Sequence, residues 1–212
     1  MATLKLGVFA SGRGSNFRAI LDAVRKGTLD ADIRLVISNN PRAGVLDTAR
    51  QAGFPVAIVN RPDFPSRDAF VEQLAGVLRS HDVDFVSLAG YMKKIPPEII
   101  GLYCWRMTNV HPALLPAFGG QGMYGSRVHE AVLEAGCKVT GVTVHLVDEH
   151  YDHGPIVAQE CVPVADDDTA ETLAARVLEV EHRLYPAILQ LFAEERVRVA
   201  GSRTVIRRTV RP

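Results

Sequence analysis

Short apolar runs alternate along this chain with stretches of helical period, and that alternation restricts the fold more than any other feature. "LKLGVFA" (Leu4 to Ala10), "IRLVIS" (Ile33 to Ser38), "PVAIVN" (Pro55 to Asn60) and "VDFVSLAG" (Val83 to Gly90) read as buried strands. The gaps between them carry helix-like patterns near 16–27, 42–52 and 66–80. Strands that are apolar throughout, separated by helices, are those of a parallel sheet covered on both faces. Beyond residue 105 the order changes: "RMTNVH" reads as a fifth strand, 127–135 as a helix, and "KVTGVTVHLV" and "PIVAQECVPV" as two strands joined by the polar loop 148–154. A long helix is expected from about 169, with Asp168 and Glu171 as a capping pair and Pro186 kinking it or ending its first half. The 212 residues show no linker, repeat or low-complexity segment, and one α/β domain is expected.

Composition narrows the setting. Hydrophobic residues make up 47% and charged residues 23%, enough for a sizeable core, and the net charge of zero offers no whole-molecule attraction to nucleic acid or membrane. The tail "SRTVIRRTVRP" holds Arg203, Arg207, Arg208 and Arg211 without an acid, and is read as a solvated terminal strand in preference to a polyanion site. Cys104, Cys137 and Cys161 are odd in number and form no CxxC pair, which fits a reducing compartment. With no leader-like N-terminus and no apolar run long enough for a bilayer, a cytoplasmic protein is expected.

The first strand runs into "SGRGSNFRAI". A glycine-rich turn opening a helix presents backbone N–H groups and a positive helix end, which suit a phosphate. It is not a dinucleotide fingerprint, since Phe17 stands at the third glycine position and "SNN" ends the second strand without an acid for a ribose hydroxyl. Nor is it a P-loop, because no Lys-Ser/Thr follows. Gly14, Ser15 and Asn16 are candidate donors to one phosphate; the alternative is a tight turn with Ser15 or Asn16 as N-cap.

"NVHPALLP" ends the fifth strand at Pro112, where ligands of such sheets gather. Alternation puts Asn109 and His111 on one face. An amide donor beside an imidazole suits a carbonyl that becomes tetrahedral: the amide bonds the oxyanion and the ring moves a proton. A turn-shaping asparagine and a strand-end histidine bonded to backbone would look the same. The distant loop "VDEHYDHGPI" offers Asp148, Glu149 and Asp152, any of which could orient His111 and raise its pKa. His145, His150 and His153 invite a metal reading, but side chains crowded on one short loop are not expected to converge on an ion.

Together, "SGRGSN", "LAGYMKKI", "NVHPALLP", "GVTVHLVDEHYDHGPI" and "EHRLYP", in this order across residues 4–195, resemble the phosphoribosylglycinamide formyltransferases of purine biosynthesis. The resemblance implies a Rossmann-like formyltransferase fold with late antiparallel strands, a phosphate-binding half over about 1–100, a folate and catalytic half over 101–195 and a terminal tail. It implies direct passage of a formyl group from 10-formyltetrahydrofolate to the amine of glycinamide ribonucleotide, without metal or covalent intermediate. Asn109 would bond the formyl oxygen, His111 would be the general acid and Asp152 the carboxylate raising its pKa. Gly14, Ser15 and Asn16 match the phosphate site and Glu181 a glutamate that bonds the glycinamide end. Arg67, Met92, Lys93, Lys94, Ile95 and Asp148 match folate-contacting positions, with Lys93 standing where many members have arginine and so losing a planar fork. His129 matches a histidine common in the family, while the glycine-rich "GGQGMYGSR" is longer than many relatives' loop. The chemistry has a runner-up, formyltetrahydrofolate deformylase, which passes the same group to water. That enzyme usually carries an additional N-terminal regulatory domain and a doubled histidine where this chain has "HPALLP". Partners are expected to be small molecules, with a monomer or homodimer as the assembly.

Overall fold

The structure, a computed structural model, describes residues 3–207. Seven strands form one sheet: β1 (Leu4–Phe9), β2 (Ala31–Ser38), β3 (Val56–Ile58), β4 (Phe85–Leu88), β5 (Met107–His111), β6 (Val139–Leu146) and β7 (Ile156–Pro163). Their spatial order is β3-β2-β1-β4-β5-β6-β7. The first five run parallel, β6 pairs antiparallel with β5, and β7 pairs antiparallel with β6. The chain therefore winds outward from β1 in one direction and from β4 in the other, and the crevice beyond their carboxyl ends is the switch point where ligands bind in such sheets.

Period-two alternation divides the core. Val36 packs on one face of the sheet, with Leu6 and Val8; Leu35 and Ile37 pack on the other, with Phe9. The first face is covered by α1 (Ser15–Arg25), α2 (Gly44–Gln51), α5 (Ser126–Glu134) and α6 (Ala170–Ala193), the second by α3 (Arg67–Ser80) and α4 (Pro97–Leu102). Burial on both faces explains why these strands are apolar throughout.

Three local expectations are corrected. Pro186 neither ends nor divides α6, which runs unbroken to Ala193. A proline inside a helix costs about 3 kcal/mol, and here it is buried together with Tyr185, Ile188 and Leu189, whose packing offsets that loss. The cap of α6 is Thr169, in a reciprocal pair with Thr172, and not Asp168 with Glu171. Asp168 instead holds Arg176 through both oxygens, at 2.7 and 2.8 Å. The spacing of Leu173, Val177, Leu184, Ile188 and Leu191 predicts an apolar stripe on α6 with Glu181 at its edge, and the buried face differs from it. Leu173, Val177 and Tyr185 are buried while Leu184 and Leu191 are only partly so, and Glu181 lies within the buried face rather than at its edge. The tail pairs as a hairpin, β8 (Val197–Ala200) with β9 (Arg203–Ile206), whose Thr204 hydroxyl donates to the Ile156 carbonyl at the sheet edge. Of the four tail arginines, Arg208 and Arg211 lie outside the described residues. Helix α4, unforeseen, opens with Pro97 where a missing N–H costs nothing.

One buried polar cluster ties α6 to the strands that carry the site. The Ser87 hydroxyl donates to Tyr185 Oη at 2.8 Å, and the Tyr185 hydroxyl faces the Thr108 carbonyl at 3.1 Å. Phenylalanine at 185 would leave Ser87 and Thr108 without that partner, and the expected loss is about 1–3 kcal/mol of stability. A urea titration checks this, and an unchanged midpoint would refute it.

No helix among the described residues is long and apolar enough to cross a membrane. Cys104, Cys137 and Cys161 are free thiols.

Candidate active site

The switch-point crevice opens into a cleft of about 840 Å³. Its walls include Ser15, Asn16 and Glu181, the segment Met92 to Ile95, Asn109 and His111, and Asp148 and Asp152. Of the residues singled out from sequence for this site, Gly14, Arg67, Glu149 and His153 are not among the walls.

Gly14 shapes the turn instead. It is the N-cap of α1 with φ 79°, and a Cβ there would lie 2.6 Å from Val45 Cγ2, so neither the backbone angle nor the space admits a side chain. No side chain caps this helix, so its first N–H groups remain available to a ligand. Neither Ser15 nor Asn16 is the plain N-cap that the alternative reading required. Ser11, just before the turn, joins two loops: its hydroxyl donates to Asn39 Oδ1 at 2.6 Å and accepts from the Met92 N–H at 2.9 Å. That bond holds the segment after β4 against the glycine turn. Arg67, at the start of α3, is paired with Glu98 at 2.6 and 2.7 Å, both side chains half exposed.

Asn16 turns its amide onto Glu181 Oε2 at 2.5 Å, linking the first turn of α1 to the middle of α6. Glu181 is 8% exposed, and burial pushes its carboxyl up from the ordinary 4.5 to about 7, with the Asn16 bond pulling the other way. Because the folded value exceeds the unfolded one, the fold favours the protonated acid. This contribution to stability is complete below about pH 4.5, declines as pH rises and is gone above about 7. Glu181→Gln is expected to remove that decline, so that the wild-type minus variant difference in unfolding free energy falls by a few kcal/mol between those limits. Denaturant titrations of both proteins across this range check it; parallel curves would contradict it.

The centre of the cleft is built by β5, β6 and two loops. Asn109 and His111 do share a face, and the antiparallel register sets His145 opposite Asn109. His145 Nδ1 donates to the Leu146 carbonyl at 2.8 Å, and its Nε2 faces both the Asn109 amide at 3.1 Å and Asp152 Oδ1 at 3.6 Å. The second Asn109 amide contact, to Asp152 Oδ1, is long at 3.4 Å. Asp152 Oδ2 stands 3.6 Å from His111 Nδ1 and accepts the Gly120 N–H at 2.9 Å. His111 Nε2 donates to the Phe118 carbonyl at 2.8 Å. The loop after β5 thus holds both members of the pair. Gly119 is required between them: a Cβ there would sit 2.5 Å from Leu115 Cδ2 and 3.2 Å from Asp152 Cβ. Asp152 itself takes φ 52°, a left-handed conformation uncommon outside glycine and of the kind found at functional sites.

Electrostatics differ in one respect from expectation. Burial of His111, 3% exposed, lowers its pKa, and the opposing pull of Asp152 and the Phe118 carbonyl recovers only part of the loss. Asp152 does act in the expected direction, but burial outweighs it. Burial pushes the Asp152 carboxyl up, whereas His145, His111 and the Gly120 N–H together bring it below its ordinary value. A negative charge is therefore held beside a histidine poised to take a proton once further negative charge enters the cleft.

Two polar residues escaped the sequence reading. His145 was noticed only as a metal candidate; its alternation with Val144 and Leu146 on a strand opposite Asn109 was the available signal. Arg13, in the glycine turn, lines the cleft with no sequence mark of its own. His129 also lines it, with Nδ1 buried and unpartnered among the described residues. Lys94 lies 5.9 Å from the Tyr151 ring, bridging the segment after β4 to the loop after β6. That loop also gathers Asp148, His150 and His153, which do converge, against expectation.

Residues 4–189 match the formyl transferase family. The chain is 47% identical over 91% of its length to a chloroplastic phosphoribosylglycinamide formyltransferase of Vigna unguiculata, and spans 62% of that relative. The crystal structure of glycinamide ribonucleotide transformylase 1 from Symbiobacterium toebii superposes with a TM-score of 0.90 at 41% identity, covering 96% of this chain and 94% of that one. A formyltetrahydrofolate deformylase from Pseudomonas syringae also superposes, with a TM-score of 0.84 at 28% identity, covering 97% of this chain and 66% of that one.

Proposed function

The chain belongs to the formyl transferase family, and we propose that it moves the formyl group of 10-formyltetrahydrofolate onto the amine of 5-phosphoribosylglycinamide, a step of purine biosynthesis. The observation that carries this reading is the meeting of Asn109, His111 and Asp152 in one cleft with the uncapped start of α1 and Glu181. A phosphate at Ser15 and Asn16 would accept the free N–H groups of α1, in the turn that Gly14 permits. Glu181 would then receive the glycinamide end, and the Asn16 amide that now bonds it would be free to turn to the ligand. The pteridine would lie along Met92, Lys93, Lys94 and Ile95, with Asp148 beside it and Arg67 exchanging Glu98 for a folate carboxylate.

The amine nitrogen attacks the formyl carbon and its C=O becomes a C–O⁻. Asn109 donates its amide to that oxygen, a contact worth roughly 2.7–4 kcal/mol in the transition state. His111 exchanges the Phe118 carbonyl for the folate N10 and delivers a proton there as the C–N10 bond breaks. The nitrogen that attacked passes its own proton to solvent water, and His111 regains one from the same source, so charge and atoms balance. Asp152 stabilises the imidazolium and holds the ring. The oxyanion and the leaving nitrogen are each met by a side chain of the cleft, and the proposed step runs without a metal.

The likeness to a deformylase means that the fold alone does not choose the acceptor. The placement of Glu181 in the same cleft as the uncapped start of α1 favours an amine carried on a phosphate-bearing acceptor. Folate release from 10-formyltetrahydrofolate, followed with and without glycinamide ribonucleotide, tests the choice: release that requires the ribonucleotide supports transfer, whereas equal release in water alone identifies a hydrolase.

A further inference from the structure

Outside the reacting triad, the described residues hold one convergence of mixed ligand groups. Asp148, His150 and His153 each offer a donor atom within 4.8 Å of the others. His153 Nδ1 is 2.7 Å from Asp148 Oδ2, and the His150 N–H donates to the other Asp148 oxygen at 2.8 Å. The His150 and His153 rings lie 5.3 Å apart, centre to centre. The strand-end bond from the Leu146 N–H to the Pro155 carbonyl, 2.9 Å, closes the base of the loop and brings its two sides together.

We propose that Asp148, His150 and His153 form a binding site for a divalent transition metal of the zinc class. Two imidazoles and one carboxylate are a borderline donor set, suited to zinc, cobalt or nickel and poor for magnesium or calcium, which take oxygen. Three protein ligands leave a position open for water or another ligand. The site has an entry path, since the His153 side chain is 71% exposed and Asp148 is 26% exposed. The His153–Asp148 contact marks where the ion sits: a proton now bridges two atoms that a metal can bridge instead. Small shifts of an exposed loop bring the ligand atoms from their present spacing to the shorter one that coordination requires.

Position gives the site a consequence. Asp148 and His150 wall the cleft, and Asp152 stands between the two histidine ligands in the chain. An ion held there takes Asp148 away from the folate and competes with that substrate. This consequence rests on the function proposed above; the existence of the site does not.

Titration of the full chain with Co²⁺, followed by visible absorption, separates the two. The expected result is one equivalent of cobalt with ligand-field bands of nitrogen and oxygen donors, displaced by Zn²⁺ and not by Mg²⁺. His153→Ala is expected to weaken binding by at least about ten-fold, and the His150→Ala/His153→Ala double variant to abolish it. Both side chains are exposed, so these variants should keep the fold. Absent binding, binding unchanged in the double variant, or sulfur-to-cobalt charge-transfer bands from the free thiols would each overturn the assignment. In turnover assays Zn²⁺ should raise the apparent KM for 10-formyltetrahydrofolate in wild type and not in the double variant. Cobalt binding without that rise would overturn the competition while leaving the site.

Discussion

Alanine at Asn109 or at His111 is expected to lower turnover by about two to four orders of magnitude, with the fold retained. The two losses have different origins. Asn109→Ala removes the donor aimed at the developing oxyanion, and substrate binding should change far less than kcat. His111→Ala removes the proton that the leaving nitrogen needs, so kcat falls while both substrates still bind. The folded state should withstand either change. Truncating His111 strands the Phe118 carbonyl, and Asn109→Ala strands His145 Nε2. Each costs about 1–3 kcal/mol, below the 5–15 kcal/mol typical of a stable domain. Steady-state rates beside melting curves check both variants. A near-normal rate in either, from folded protein, would remove that residue from the chemistry.

Asp152→Asn carries the second large effect. As a carboxylate, Asp152 raises the pKa of His111 against the burial that lowers it. With that charge gone, burial is opposed chiefly by the Phe118 carbonyl alone, and the imidazolium persists only at lower pH. A general acid must be protonated to act, so rate falls as pH rises through its pKa. That fall is expected to move to lower pH by about one unit or more in the variant, with turnover at neutral pH reduced at least about ten-fold. The amide would also present an N–H to one neighbour and a weaker acceptor to Gly120, loosening the loop that holds His111. The pH–rate profile distinguishes this from general damage: a lower but unshifted profile would mean that Asp152 only supports structure, and that Asp148 or Glu149 must be considered as the partner.

The fold was legible because its determinants are repetitive. Leu35, Val36 and Ile37 face opposite sides of the sheet and are all buried, so the run announces a covered parallel strand without any tertiary knowledge. Boundaries that depend on packing were less legible. Pro186 breaks helices by local rules, yet α6 lies on the sheet and its buried neighbours keep it continuous. The four-residue steps Leu173, Val177, Glu181 and Tyr185 mark the buried face, but a glutamate in that series reads as its edge when burial is inferred from polarity. Thr169 was passed over as a cap because Asp168 and Glu171 carry the charges that usually mark one.

At the site, Asn109 and His111 were legible together, since strand alternation fixes their shared face. Asp152 was not separable from Asp148 and Glu149 by chemistry, because the choice depends on a left-handed residue and on a Gly120 N–H contributed from a loop 32 positions away. The resemblance singled it out, and the structure sets its carboxylate 3.6 Å from His111. A metal reading of His145, His150 and His153 was set aside because side chains crowded on one short loop were not expected to converge; the group that does converge takes Asp148 in place of His145, on a loop pinched at Leu146 and Pro155.

The fate of one carbon tests the central claim most directly. The protein is incubated with 10-formyltetrahydrofolate labelled in the formyl group, with glycinamide ribonucleotide present or omitted, and the label is located by NMR. The label is expected on the glycinamide nitrogen as a formamide, with the donor left intact when the ribonucleotide is omitted. Label accumulating as free formate, at a rate indifferent to the ribonucleotide, would contradict the account.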